Sequence, residues 1–174
     1  MQKSDSKRFD TLYIATIALL VALQVVLSRF LSIPTPITKI GFSFVPLVIA
    51  ARKYGVIDTA IVAFISDILG AILFPSGPFF PGYTLTAVLF GVCFGIFLHY
   101  SDSIFAIVAS VLINQFGFSL FLNTLWIHIQ STTPYFTLLS TRVWQSVVMS
   151  VVQIAVIIII VKKGGRVLNS AKFM

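Results

Sequence analysis

Uncharged apolar segments long enough to cross a lipid bilayer follow one another along almost the whole chain. The first runs from Phe9 to Phe30, and no charged residue lies between Asp10 and Arg29. About 20 apolar residues in a helix span the hydrocarbon core of a bilayer. A water-soluble domain of 174 residues, of which 58% are hydrophobic and only 10% charged, could not bury so much apolar surface. We therefore expect the chain to fold in lipid.

The apolar segments predict an all-α membrane protein, a single domain over residues 1–174 that forms a bundle of six transmembrane helices. The expected helices lie at about 9–30, 41–54, 58–74, 83–99, 104–129 and 136–162. We expect Gly55 to end the second helix and Asp58 to cap the third. The second helix is expected to be short or broken, because about 13 residues rise only ~20 Å and Pro46 lies among them. Membranes tolerate such helices where they line a cavity.

Positive charges indicate how the expected bundle is oriented. Of twelve lysines and arginines, nine fall at one end, and Arg29, Lys39 and Arg142 lie at or near the other. The positive-inside rule makes the end with nine cations cytoplasmic, together with both termini. The net charge of +7 is then a consequence of topology and does not point to nucleic acid. We expect a multi-pass protein of a prokaryotic cell membrane, with lipid around it.

Polar residues in the expected fifth and sixth helices form two stripes at helical spacing. The fifth helix carries Gln115, Ser119, Asn123, Trp126 and Gln130, and the sixth carries Arg142, Gln145, Ser146, Met149 and Gln153. Polar groups in a membrane are costly, so they either bond helices together or line a functional site. Both interpretations stay open for the deeper positions, which are Ser119, Ser146 and Gln153.

A ligand pocket at the outer face is favoured for the polar residues that lie nearer the outside. These residues are Asn123, Trp126, Arg142 and Gln145. An arginine inside a span needs an anion, carbonyl groups or water, and this chain contains no glutamate to pair with it.

Small side chains form a stripe on the first helix, where Thr11, Ala15, Ala18 and Ala22 share one side. Such a stripe allows two helix backbones to approach closely, and the neighbour could belong to a partner or to this same bundle. Asp67 is the one carboxylate inside the expected spans. Asp10 and Asp58 lie only at the starts of the first and third helices. We interpret Asp67 as a structural acceptor tied to the neighbouring short helix, with a place in the pocket as the alternative.

Signatures of catalysis, cofactors and metal are absent from the sequence. His99 and His128 are isolated near helix ends, and Cys93 is the single cysteine. Neither a zinc motif nor a catalytic triad can be built from these spacings, and no phosphate-binding GxxxxGKS motif occurs. We expect no cofactor, no metal and no ATP hydrolysis by this chain. An intramembrane enzyme acting on lipid and a scaffold without a ligand remain as alternatives from other classes.

The loop FPSGPFFPGYT, at 74–84, is stiff, aromatic and uncharged. Together with KIGFSFVPLVIAARKYG (39–55), the rest of 67–98, LNTLWI (122–127) and TRVWQSVVM (141–149), it resembles the folate-type S components of energy-coupling factor (ECF) vitamin transporters. The resemblance covers most of the chain. It implies that this loop and the first outer loop cover a vitamin pocket on the outer face.

The resemblance implies a vitamin-binding membrane subunit, with folate as the expected ligand, that works with a transmembrane coupling subunit and two ATPases. The stripe of Ala15, Ala18 and Ala22 corresponds to the family's alanine motif that meets the membrane partner. Phe80, Tyr83, Trp126 and Trp144 would stack on the aromatic rings of folate, and Gln115, Asn123 and Gln145 would bond to ring donors and acceptors. Arg29, Lys39 and Arg142 would take the glutamate carboxylates.

Two positions depart from the family pattern. Gln145 stands where a lysine is expected, and a valine replaces the proline expected before Gln153. The first change leaves one cation fewer for an anionic vitamin. Pantothenate and pyrimidine- or pyridoxine-type vitamins remain as alternative ligands, because relatives specific for them share much of the same motif set.

Overall fold

The structure is a computed structural model that describes residues 11–34, 39–75, 77–101, 103–131 and 133–170, with the backbone alone at 33–34, 39–40 and 163–170. Its helices are α1 (Thr11–Arg29), α2 (Phe44–Tyr54), α3 (Val56–Leu73), α4 (Pro81–Tyr100), α5 (Ile104–Leu112), a π-helical segment (Ile113–Leu122), α6 (Asn123–Gln130) and α7 (Tyr135–Ser170). The helical fold class predicted from the sequence agrees with this architecture.

Five helical stretches in the described residues are long and apolar enough to cross a membrane. They are Thr11–Arg29, Val56–Leu73, Pro81–Tyr100, Ile104–Gln130 and Tyr135–Lys162. α2 is not among them because it has only 11 residues. α2 instead lies in the middle of the core, where Val48, Ala50 and Ala51 have no exposed surface. The count of six spans therefore stays a prediction.

The loop expected at 31–40 contains a short β-hairpin within its described part. Strand β1 (Ser32–Pro34) pairs antiparallel with β2 (Lys39–Gly41), and Ile33 lies opposite Ile40. Pro34 can occupy this strand because a proline is tolerated at a sheet edge, where its missing N–H is not needed. We call the end of the bundle that carries this hairpin the hairpin end.

The opposite end of the bundle turns at Gly55, and we call it the Gly55 end. Gly55 ends α2 with a φ of 94°, a conformation that glycine adopts without strain, and its N–H donates to the Ala51 carbonyl. The prediction that Asp58 caps the next helix is wrong. Gly55 occupies the capping position, and the Asp58 carboxylate instead accepts a hydrogen bond from the Tyr13 hydroxyl at 2.7 Å.

Glycines let α4 pack directly against α3. A Cβ at Gly91 would lie 2.8 Å from the Thr59 carbonyl oxygen, and one at Gly95 would lie 2.5 Å from the Val56 Cα. Small residues at four-residue spacing are the usual means of close helix packing in membranes. The tight contact holds the second half of α4 against the start of α3, near the Gly55 end.

Candidate functional site

Three aromatic side chains meet at the hairpin end, where α4 begins and α6 ends. The Phe80 ring lies 5.5 Å from Trp126 and 6.0 Å from Tyr83 between ring centroids. The Trp126 indole N–H donates to the Thr86 hydroxyl at 3.0 Å, which fixes the orientation of the ring. We call Phe80, Tyr83 and Trp126 the aromatic group. It offers ring faces and edges for a flat ligand.

Gly82 makes room for the aromatic group on α4. A Cβ at this position would lie 2.5 Å from Phe80 Cε1 and 2.6 Å from Trp126 Cδ2. Any side chain here would therefore displace at least one ring. In the sequence, Gly82 stands out only by its place in the motif PFFPGYT. Its contact with Trp126 on another helix could not be inferred from residue spacing.

We expect Gly82→Ala to lower stability by about 1–3 kcal/mol, the usual cost of overpacking, and to change the environment of Trp126. The measurement is thermal unfolding in detergent together with the tryptophan emission maximum. Gly77→Ala is the matched control, because a Cβ at Gly77 meets no atom within 4 Å. Equal behaviour of the two variants would show that the aromatic group is not packed on Gly82.

Arg142 on α7 is the buried cation of the site. Only 4% of its surface is exposed, and one guanidinium nitrogen donates to the Ser119 carbonyl at 3.2 Å. The second terminal nitrogen, Nη1, is buried and has no hydrogen-bond partner in the described residues. The Tyr83 hydroxyl and this guanidinium lie within electrostatic range of each other, so the cation is on the same side of the bundle as the aromatic group. A buried charge without full hydrogen bonding is costly, and an anionic ligand would offset that cost.

Another polar group near Trp126 lacks a partner. The Asn123 amide oxygen is buried without a hydrogen bond in the described residues. The Thr124 hydroxyl is also buried and unpartnered, but Thr124 lies about 200° around α6 from Trp126 and does not face the aromatic group. Gln115 is 5% exposed in the π-helical segment, and Gln145 is half-buried on α7.

Two of the three predicted site cations are placed by the structure. Arg142 lies as described above, and the Arg29 guanidinium packs on α3, where a Cβ at Gly70 would be 2.9 Å from its Nε. Lys39 belongs to β2, but its side chain lies outside the described part of the structure.

Trp144 is not brought to the aromatic group. Its side chain is 74% exposed on α7, whereas Arg142, two residues earlier, is buried. Residues two apart lie about 200° apart around an α-helix, so both cannot face the same pocket. The structure thus contradicts the prediction that Trp144 stacks on the ligand.

The polar stripe of the expected fifth helix does not follow regular α-helical spacing. Residues Ile113–Leu122 form a π-helical segment, and the Asn123 N–H donates to the Phe118 carbonyl five residues earlier. The wider turn changes the angular spacing of the side chains along this segment. Asn114, near its start, has no exposed surface and lies on the same face as the buried Ile107, Ser110 and Val111 at ordinary helical spacing. The sequence analysis did not select Asn114, because α-helical spacing puts it off the polar stripe.

Asp67 is a structural acceptor, with a different partner from the one expected. Its carboxylate accepts a hydrogen bond from the Thr84 hydroxyl at 2.7 Å. Thr84 lies in the first turn of α4, so Asp67 ties α3 to the start of that helix and not to the short α2. This bond holds the segment that carries Tyr83.

The small-residue stripe of α1 lies on the surface of the bundle. Ala15, Ala18 and Ala22 are all exposed, whereas Leu20, Val21 and Gln24 on the same helix are buried. The other described helices leave this stripe uncovered.

The fold and the site together define a class of membrane protein. The chain is a helical membrane protein with an aromatic and cationic site recessed at one end and with no cluster of three metal-ligating side chains in its described residues. Comparison with known proteins narrows this class. Residues 12–162 match the family model of the substrate-specific component of ECF transporters, and the chain belongs to this family. The resemblance drawn from the sequence is confirmed.

Individual relatives extend the comparison. The chain is 35% identical to the folate transporter FolT of Clostridium novyi over 133 residues, which are 76% of this chain and 77% of the relative. It is 28% identical to FolT of Leuconostoc mesenteroides subsp. mesenteroides over 156 residues, which are 86% and 84% of the two chains. A crystal structure of FolT bound with folic acid superposes with a TM-score of 0.84 at 27% identity, covering 88% of this chain and 95% of that one.

Proposed function

We propose that this protein binds folate as the substrate-specific component of an ECF-type importer. The observation that carries the proposal is Arg142, a buried guanidinium with an unpartnered Nη1 on the same side of the bundle as the aromatic group. Folate combines a flat ring system with glutamate carboxylates, and this site offers a partner for each. Similarity to two folate transporters and to a folic-acid complex supports the choice of vitamin.

The proposed site has three parts. The aromatic group of Phe80, Tyr83 and Trp126 stacks on the rings, and the amides of Gln115, Asn123 and Gln145 bond to ring donors and acceptors. Arg142 takes a carboxylate, with Arg29 and Lys39 as further cations. We leave Trp144 out because its side chain is exposed. The vitamin is bound and delivered without a cofactor or metal.

The proposal includes a topology and partners. The hairpin end faces outside, both termini are cytoplasmic, and α2 acts as a short, buried sixth span in a prokaryotic cell membrane. Exposed Ala15, Ala18 and Ala22 form the contact with a transmembrane coupling subunit, because small residues allow close helix approach. Two ATPase subunits hydrolyse ATP for the assembled importer.

Fluorescence of the two tryptophans tests the ligand. Folate should quench tryptophan emission in the purified protein and raise its thermal stability, because binding stabilises the folded state. Trp126→Phe should remove most of the quenching, whereas Trp144→Phe should preserve it, since Trp144 is exposed on α7. If pantothenate, pyridoxine or a pyrimidine vitamin changes these signals and folate does not, the folate assignment fails.

A further inference from the structure

A buried threonine hydroxyl joins α4 to the aromatic group. Thr86 lies in the second turn of α4 and is 2% exposed. Its hydroxyl donates a hydrogen bond to the Gly82 carbonyl at 3.0 Å and accepts one from the Trp126 indole N–H at 3.0 Å. The direction of both bonds is fixed, because the indole nitrogen can only donate and the carbonyl can only accept. One hydroxyl therefore connects the backbone of α4 to a ring that α6 carries.

Two threonines tie the start of α4 to helices on opposite sides. Thr84 donates to the Asp67 carboxylate of α3, whereas Thr86 bonds to Trp126 of α6. Residues two apart lie about 200° apart around an α-helix, which agrees with these opposite partners. Gly82 lies about 40° from Thr86 around the helix, and a Cβ there would be 2.6 Å from Trp126 Cδ2. This side of α4 therefore holds the Trp126 ring both by packing and by a hydrogen bond.

The bond to Thr86 determines what Trp126 can offer to a ligand. A tryptophan side chain has one polar hydrogen, and this one is used inside the protein. The ring can therefore contact a ligand through its face and its carbon edges, and not as a hydrogen-bond donor. A buried indole N–H without a partner is costly, so we expect the ring to leave this orientation if the Thr86 hydroxyl is removed.

We propose that Thr86 is a positioning residue of the vitamin site, which holds the Trp126 ring in the orientation that stacks on the flat ring of the ligand. The inference rests on the proposed function, because it concerns the same site. Thr86 acts through Trp126 and not by contact with the vitamin, since its hydroxyl is buried and bonded on both sides within the protein.

The fluorescence anisotropy of Trp126 in the ligand-free protein tests the positioning directly. Trp144→Phe makes Trp126 the single tryptophan, because the chain contains two. In this background Thr86→Val should lower the anisotropy, since valine keeps the branched shape but cannot accept the indole N–H. Thr86→Ala removes the same acceptor and should act in the same way, whereas Thr86→Ser should keep the parent value. Unchanged anisotropy in the valine and alanine variants would overturn the proposal.

Thr59→Val is the matched control for these variants. The Thr59 hydroxyl is also buried and donates to a carbonyl four residues earlier, that of Gly55, but it lies at the other end of the bundle. Its replacement should therefore change neither the anisotropy of Trp126 nor the affinity for folate.

A double-mutant cycle on folate affinity tests whether Thr86 acts through Trp126. Thr86→Val should weaken folate binding roughly threefold to tenfold, the range that one aromatic contact contributes, and Thr86→Ser should bind as the parent does. In Trp126→Phe protein the valine change should have no further effect, because phenylalanine has no N–H. An equal loss in both backgrounds, or full affinity in Thr86→Val, overturns the proposal. A parent protein that fails to bind folate defeats the proposed function instead, and the anisotropy then decides whether Thr86 positions the ring.

Discussion

Replacing Arg142 by alanine is expected to weaken folate binding by roughly 1.5–3 kcal/mol, the range for a hydrogen bond to a charged group. The guanidinium is buried, and its Nη1 has no partner among the described residues, so a carboxylate is the group that would complete its bonding. Alanine removes both the charge and the donors. The measurement is a folate titration of the purified variant in detergent.

Arg142→Lys separates charge from geometry. Lysine keeps the positive charge but lacks the planar fork that binds a carboxylate through two parallel hydrogen bonds, so we expect it to weaken binding as well. Lysine also cannot reproduce the bond to the Ser119 carbonyl while holding a carboxylate in the same way. A lysine variant that binds folate as tightly as the parent would contradict a bidentate contact.

Ala18→Trp and Ala22→Trp are expected to abolish ATP-dependent folate uptake while leaving folate affinity nearly unchanged. Both alanines are exposed on α1, where a bulky ring would keep a partner helix from approaching closely. The aromatic group and Arg142 lie on α4, α6 and α7 and the adjacent loop, so these changes do not touch them. Uptake is measured in vesicles that contain the assembled importer, and affinity is measured on the isolated chain.

Leu23→Trp is the matched control for the alanine variants. Leu23 is 38% exposed and next to Ala22 in sequence, but it points about 110° away from the middle of the alanine stripe, so its replacement should preserve uptake. Loss of folate binding in the isolated alanine variants would mean that the stripe supports the bundle. Normal uptake by them would remove the stripe from the partner contact.

The sequence predicted the helices because hydropathy alone decides which segments can cross lipid. The end of α2 at Gly55 also followed from the sequence, because glycine commonly ends a helix. The β-hairpin was missed because three-residue strands leave too little pattern to recognise. Asp58 was misassigned because its partner, Tyr13, is distant in sequence.

The candidate site could be predicted only in part. Arg142 was identifiable because a charged group in a membrane span is costly unless it has a partner or a function, and Trp126 because it shares the polar stripe of its helix. Trp144 was misplaced because it was chosen for its aromatic ring, whereas its spacing already puts it about 200° around the helix from Arg142. The role of Gly82 depends on packing against Trp126 of another helix, which periodicity along one helix does not reveal.

The central claim is that this chain is a folate-binding subunit, and the most direct test is to identify the ligand it carries. The protein is extracted from cells grown with folate, purified in detergent and denatured, and the released small molecules are identified by mass spectrometry. We predict folate or a close analogue from the parent protein and much less from Arg142→Ala. Release of pantothenate or a pyrimidine- or pyridoxine-type vitamin in place of folate, or of no ligand at all, would contradict the account.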